Sequence, residues 1–181
     1  MSDSALERLA SVLREEGGLM ATLVDPLEPS VGDVERAAPS PARAAAEGPR
    51  TQSRRAEYEL VVEAIYEGYL LHYGAPRVVR PGEVDLGLLA GDRLYAIGLA
   101  RLVALGDTEA VAELADTITL GALAQGAGEE DLADAVWAAG ARAVGWGSSE
   151  AHVRAKRLAF AGSPQAIEAM RTSAAGSSAP P

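Results

Sequence analysis

Residues 72–92 hold the side chains whose types and spacing best suit chemistry, namely His72, then Arg77 and Arg80, then Asp92. Guanidinium groups bind phosphate and carboxylate oxygens, and an aspartate oxygen is a ligand that Mg²⁺ accepts. We therefore expect a ligand that binds here to contact Arg77, Arg80 and Asp92. Two loop arginines without metal ligands nearby are, however, more often solvated or cap a helix.

A second acidic group lies in residues 130–134, where Asp131 and Asp134 fall on one face of a predicted helix. Carboxylates one helical turn apart can converge on the same magnesium ions. The helix dipole alone also favours acids in a first turn, and we prefer that interpretation. A residual enzyme that uses Asp92, Asp131 and Asp134 is the less favoured alternative. Magnesium is expected only if the protein is catalytic, and otherwise we predict no catalytic residue, metal ligand or cofactor.

Residue types exclude several other kinds of site. The chain has no cysteine, which excludes disulfides, thiolate metal sites and a cysteine nucleophile. Its two histidines, His72 and His152, have no ligand partners near them in the sequence, so we expect both to be packing or surface residues. Neither a glycine-rich phosphate loop nor a Gly-x-Ser-x-Gly motif is present.

The composition predicts an all-α protein with one principal domain. The chain has 181 residues, of which 48% are hydrophobic but only 4% aromatic. Alanine, the best helix former, is the most frequent residue, whereas the side chains that sheets prefer are scarce. The formal net charge of -10 argues against nucleic-acid binding. The chain has neither an apolar run long enough for a membrane span nor a signal peptide, so we predict a cytoplasmic protein. Its composition suggests a bacterial source.

Periodicity and composition divide the chain into four parts. Residues 1–24 hold an amphipathic helix with capping-box spacing at its start, and residues 25–53 are a Pro/Ala-rich linker. Residues 54–171 are a helical domain, and residues 172–181 are a disordered tail. The whole is a compact bundle of about six to seven helices.

The helix predicted over residues 54–73 has three stripes of different character. One is aliphatic, and a narrow second strip of Glu59, Glu63 and Glu67 is expected to face solvent. The third consists of tyrosines, which are either residues at the edge of the core or a surface for a partner. These tyrosines are Tyr58, Tyr66, Tyr69 and Tyr73.

The next predicted helix, residues 85–105, is apolar on almost every side and is therefore expected to be central in the bundle. Gly87, Gly91 and Gly98 fall on one side of it. An interior glycine costs about 1 kcal/mol relative to alanine, so close contact with another helix is the expected compensation. We take this glycine side, together with the tyrosine stripe, as the candidate partner surface.

Residues 58–125 resemble the polyprenyl synthetase family, the all-helical trans-isoprenyl diphosphate synthases. The residues that carry the resemblance are Leu70-Leu71-His72 at a helix end, the arginine-bearing loop 77–82, and Gly91-Asp92 followed by Leu94. Arg93 stands where the family has an aromatic residue. The resemblance implies a helical bundle similar to part of the isoprenoid synthase fold.

The resemblance also implies how such a protein would act. Family members hold magnesium with two aspartate-rich clusters and so stabilise the departing diphosphate. Here Tyr73-Gly74-Ala75-Pro76 follows His72, and the next carboxylate is Glu83. We therefore predict a catalytically silent, shortened relative that serves as an accessory or regulatory subunit of a prenyl diphosphate synthase.

Family synthases are dimers, which implies that this chain forms a homo-oligomer or a hetero-oligomer with a prenyl diphosphate synthase. An isoprenoid is then its candidate ligand. The alternative belongs to a different class, a helical scaffold or adaptor without an isoprenoid role, and the acidic middle of the chain and its long linker suit that alternative equally well.

Overall fold

A computed structural model describes residues 4–24 and 40–176, and within these ranges the protein consists of helices, as the composition predicts. Nine α-helices and one 3₁₀ turn (Gln52–Arg54) make up the described part, two helices more than the upper number predicted. The α-helices are α1 (Ala5–Glu16), α2 (Gly18–Thr22), α3 (Pro41–Ala46), α4 (Arg55–Tyr73), α5 (Val84–Leu105), α6 (Thr108–Gly126), α7 (Glu130–Trp146), α8 (Glu150–Phe160) and α9 (Ala166–Ala175).

The N-terminal helix α1 packs on α4 and contributes to the core that α4 forms with α5. Its capping box is complete, because the Ser4 hydroxyl accepts the Glu7 N–H while the Glu7 carboxylate accepts the Ser4 N–H. Leu9 and Leu13 are fully buried. The segment that follows α2 is attached to the loop between α4 and α5, where the Arg80 N–H donates to the Leu23 carbonyl at 2.8 Å.

Helices α4 and α5 form an antiparallel hairpin in which glycines allow the backbones to approach closely. A methyl group at Gly98 would collide with Ile65, and one at Gly91 would collide with His72. Gly87, Gly91 and Gly98 are all buried within the chain. The close helix contact predicted from these glycines is confirmed, but their use as a partner surface is wrong, because α4 and Pro81 already occupy that side.

The linker predicted over residues 25–53 needs correction in its second half. Ser40 caps α3, and Ala42, Ala45 and Ala46 are fully buried against α4 and α7. A side chain at Gly48 would overlap the backbone of Gly145, so this segment is packed tightly into the domain. Proline and alanine are typical of linkers. Here, however, the proline stands at the first position of a helix, and the alanines pack that helix into the core. Residues 25–39 lie outside the described residues.

Helices α6–α9 form the C-terminal part, in which α7 packs on α6 and α9, and α9 packs on α8. Its core is built from small and aliphatic side chains such as Leu120, Val136 and Met170. The tail predicted over residues 172–181 begins later than expected, since α9 continues to Ala175. Residues 177–181, like residues 1–3, lie outside the described residues.

Helix α5 is not the central helix that its apolar sequence predicts. Its inner side faces α4, whereas the opposite side is exposed, and nothing within residues 4–24 and 40–176 covers it. Leu89 is 62% exposed and Val103 is 61% exposed. We define the outer face of α5 as this exposed side, which consists of Leu88, Leu89, Ala96 and Val103. None of the described helices is long and apolar enough to cross a membrane.

Candidate functional site

The structure brings His72 and Asp92 together where α4 ends beside α5. The His72 Nε2 atom lies 3.2 Å from Asp92 Oδ1. The imidazole stacks on the ring of Tyr95, with ring centroids 5.5 Å apart and planes at 13°. A single exposed carboxylate and one half-buried imidazole do not form a metal site.

Arg77, one of the candidate ligand-binding residues, points into the protein. Its guanidinium contacts the carboxylates of Glu63 and Glu67 and lies over the ring of Tyr66, 5.1 Å from the centroid. Both carboxylates are almost fully buried, at 2% and 0% exposure. The positive charge of Arg77 is therefore already neutralised by the chain's own acids.

Glu67 fixes the loop between α4 and α5. Its Oε1 atom accepts the backbone N–H groups of Arg77, Val78 and Val79 at 2.7, 2.6 and 3.1 Å. The solvent-exposed glutamate strip predicted for α4 is therefore wrong for Glu63 and Glu67. Helical periodicity placed them opposite the aliphatic stripe, but the loop and α3 fold over that side and supply hydrogen-bond donors.

Glu63 lies beside Glu67 and is held from two sides. The Ser40 hydroxyl donates to its Oε2 atom at 2.9 Å, and Arg77 contacts its Oε1 atom. Burial raises the pKa of Glu63, and the Arg77 and Ser40 contacts offset this effect only in part. We call Ser40, Glu63, Glu67 and Arg77 the α4 cluster.

The three candidate ligand-binding residues do not converge. Arg80 is exposed and donates to the Pro76 carbonyl, and Asp92 is exposed on α5. Asp131 and Asp134 are exposed on α7, with Asp131 only 3.9 Å from Arg171. In the described part of the chain, no three His, Asp or Glu side chains are arranged to hold a metal ion.

The tyrosine stripe lies mostly inside the protein. The Tyr58 hydroxyl donates to Asp107 Oδ2 at 2.7 Å, and burial together with this acidic partner raises the pKa of Tyr58 to about 12. Tyr69 is buried and accepts a hydrogen bond from Gln125 at 2.8 Å. Tyr66 is half-buried against Trp137, and Tyr73 is exposed. The stripe is therefore a row of core-edge residues, one of which, Tyr73, reaches the surface.

A polar cluster that the sequence analysis did not identify joins α6, α8 and α9. His152 Nε2 lies 2.5 Å from Glu113 Oε1, and His152 Nδ1 lies 2.8 Å from the Ser173 hydroxyl oxygen. Lys156 donates to Glu113 Oε2 and to Asp116, at 2.8 Å each. We call Glu113, His152, Lys156 and Ser173 the C-terminal cluster.

The electrostatic state of Glu113 differs from that of Glu63. Burial by itself would raise the pKa of Glu113, but the hydrogen bonds that its carboxylate makes with His152 and Lys156, together with the charge of Lys156, outweigh burial and lower that pKa. Glu113 is therefore ionised at neutral pH. The one sequence signal for this cluster is the pair His152 and Lys156, which lie four residues apart on α8 and so share a face.

The C-terminal cluster opens into a pocket of about 500 Å³. The residues that line it include His152, Ser173, Arg142 and Trp146. The Arg142 guanidinium lies 4.8 Å above the Trp146 ring. The volume is within the range of small-molecule sites, which is about 300–1,000 Å³.

Comparisons with known proteins give no match to this chain, whether with family models, with curated proteins or with solved structures.

Proposed function

We propose that this protein is a non-catalytic accessory subunit that binds a prenyl diphosphate synthase through the outer face of α5. The observation that carries the proposal is the outer face itself. A helix that is apolar on both sides is normally buried on both sides, yet α5 is covered on one side only within the described residues. A partner helix would remove Leu89 and Val103 from water and complete the burial.

The hairpin residues support the absence of prenyl transfer by this chain alone. A synthase needs magnesium ligands where α4 ends and free cations to hold the diphosphate. At that position the chain has Tyr73 and Gly74, and Arg77 is engaged by Glu63 and Glu67. An isoprenoid bound by the complex would therefore be activated by the partner.

The charges around the outer face of α5 suit a partner with basic residues at the rim of its interface. Asp85 and Asp92 are exposed among the apolar side chains of this face. Complementary charges at an interface rim increase the association rate and help to select the partner. The resemblance to a dimeric synthase family is the reason for committing to a synthase as that partner.

The experiment is sedimentation velocity of the chain alone and mixed with a full-length trans-prenyl diphosphate synthase from the same source. We expect a heteromeric complex whose Kd rises by about 30-fold or more with Leu89→Asp or Val103→Asp, because both place a charge in an apolar interface. Phe160→Asp is the matched control, since Phe160 is 50% exposed on α8, away from that face. It should leave the complex unchanged.

Two results would contradict the proposal. Formation of a self-dimer through α5 without binding to the synthase would replace the accessory subunit with a homo-oligomeric scaffold. Steady turnover of farnesyl and isopentenyl diphosphate by the purified chain with magnesium would show that the chain is itself an enzyme.

A further inference from the structure

The order of groups in the C-terminal cluster determines where its protons lie. Ionised Glu113 can only accept hydrogen bonds, so in the neutral imidazole of His152 the proton is on Nε2, which faces Glu113 at 2.5 Å. The Nδ1 atom then has a free lone pair and accepts the hydroxyl proton of Ser173 at 2.8 Å. The hydroxyl is therefore hydrogen-bonded to a base that a buried carboxylate orients.

Burial fixes this arrangement. His152 is 2% exposed and Glu113 is 6% exposed, while Lys156 holds the second carboxylate oxygen at 2.8 Å. A base that cannot rotate and whose partner stays charged is suited to accept a proton repeatedly. Ser173, in contrast, is partly exposed and lines the pocket.

Arg142 brings a positive charge to the lining of the pocket, in which Glu150 is the acidic residue. Arg142 packs so closely on Gly176 that a methyl group there would overlap its guanidinium, which places Arg142 beside the end of α9 that holds Ser173. Among the described residues that line this pocket, Arg142 is the only one that is a lysine or an arginine. A guanidinium in that position can stabilise negative charge that develops on a carbonyl oxygen.

We propose that Ser173 is a nucleophile activated by His152 and Glu113, and that the pocket accepts small carboxylic esters. The proposal is independent of the prenyl-synthase role, because it concerns α6–α9 and not the outer face of α5. Ser173 and His152 are the catalytic residues, Arg142 is the group that faces the carbonyl oxygen, and Glu113 and Lys156 are positioning residues.

The reaction begins with proton transfer. As Ser173 Oγ forms a bond to the ester carbonyl carbon, its proton moves to His152 Nδ1. The bond between that carbon and the leaving oxygen then breaks, and the leaving oxygen takes the proton from His152. An acyl group remains on Ser173 until a water molecule attacks it and restores the hydroxyl.

The burial of His152 predicts that this second step is slow. The deacylating water must give its proton to Nδ1, and that atom belongs to an imidazole that is only 2% exposed, so water reaches it with difficulty. Acylation should therefore be faster than hydrolysis, and the acylated protein should accumulate as a burst of one equivalent.

The test uses 4-nitrophenyl acetate with the full-length chain, measured as a nitrophenolate burst and by mass spectrometry of peptides. We expect one acetyl group on Ser173. Ser173→Ala should abolish that burst, and His152→Asn should slow acylation by about 100-fold, the lower range for general-base catalysis. Arg142→Gln should slow acylation while leaving the helical content unchanged.

Thr172→Ala is the matched control, because Thr172 carries the neighbouring hydroxyl, is exposed and also lines the pocket. It should keep the full burst. If His152→Asn does not fold, the site of acetylation in the wild-type chain still decides the matter. Acetylation only of Lys156 or of other amines, or a burst that persists in Ser173→Ala, would overturn the proposal and show that the cluster is structural.

Discussion

Among the residues that the structure describes, buried glutamates lie in two places and are compensated in different ways. In the α4 cluster the donors are three backbone N–H groups, the Ser40 hydroxyl and the Arg77 guanidinium. In the C-terminal cluster the donors are His152 and Lys156, and the chain of contacts continues to a hydroxyl on a pocket wall. The first arrangement suits a structural lock, and the second can move a proton.

The loop arginine Arg77, which the sequence marks as a candidate for ligand binding, thus has a structural role in the fold. Arg77 and the loop after α4 are fixed by Glu67, whereas His152, around which the proton-transfer geometry lies, comes 75 residues after Arg77. A charged residue in a motif is free to act only if the fold leaves its charge without a partner. If the two clusters differ in this way, substitutions in them should have different effects on stability and on chemistry.

The largest expected effect is on the α4 cluster. Glu67→Ala should lower the free energy of unfolding by about 3–5 kcal/mol, because it leaves Arg77 and three loop N–H groups without their acceptor in a buried site. Urea unfolding monitored by circular dichroism measures the change. Glu57→Ala, an exposed glutamate in the first turn of the same helix, should change stability by less than about 0.5 kcal/mol. Equal effects of the two substitutions would refute the lock.

The corresponding substitution in the C-terminal cluster should cost less. Glu113→Ala should lower the free energy of unfolding by about 2–3 kcal/mol, since His152 loses a buried partner but Lys156 keeps Asp116. Asp116→Ala is the control and should cost about 1 kcal/mol or less, because that carboxylate is more exposed. If Glu113→Ala proved more costly than Glu67→Ala, the C-terminal cluster would be the stronger structural element.

Local sequence signals predicted the helices well. The capping box at Ser4 depends on residues close together in the chain, and the structure confirms it. The glycines of α5 indicate a close contact with another helix, which the structure also confirms, although their partners Ile65 and His72 lie on α4. Segment α3 was missed because its proline and alanines are equally typical of a linker, and only the contact of Gly48 with Gly145 distinguishes the two.

The two clusters could not be predicted for a different reason. Glu67 meets backbone donors, which have no sequence signature, and Glu113 and Ser173 reach His152 across 39 and 21 residues. Those contacts require three helices to pack in one particular way. Periodicity gives the face of each helix but not which faces meet, so the polar partners of a buried acid stay hidden until the tertiary structure is known.

The pH dependence of stability should differ in sign between the clusters. The lowered pKa of Glu113 means that its contribution is present above the unfolded value of 4.5 and is lost as the pH falls through its folded pKa. The raised pKa of Glu63 means that its burial becomes unfavourable as the pH rises above 4.5. As the pH falls, the free energy of unfolding of the wild type should therefore decrease relative to that of Glu113→Gln and increase relative to that of Glu63→Gln. Parallel unfolding curves for the two variants from pH 3 to pH 7 would contradict this prediction.

The smallest expected effect on stability concerns Ser173, and it separates structure from chemistry most clearly. Ser173→Ala removes one hydrogen bond at a partly exposed position, so the free energy of unfolding should fall by about 1 kcal/mol or less. The same substitution should abolish the ester burst, whereas any variant of the α4 cluster that still folds, such as Glu63→Gln, should keep it. A loss of stability of several kcal/mol in Ser173→Ala would mean that the hydroxyl serves to hold α9 on α8. A burst reduced equally by Glu63→Gln would mean that both clusters act only through the fold.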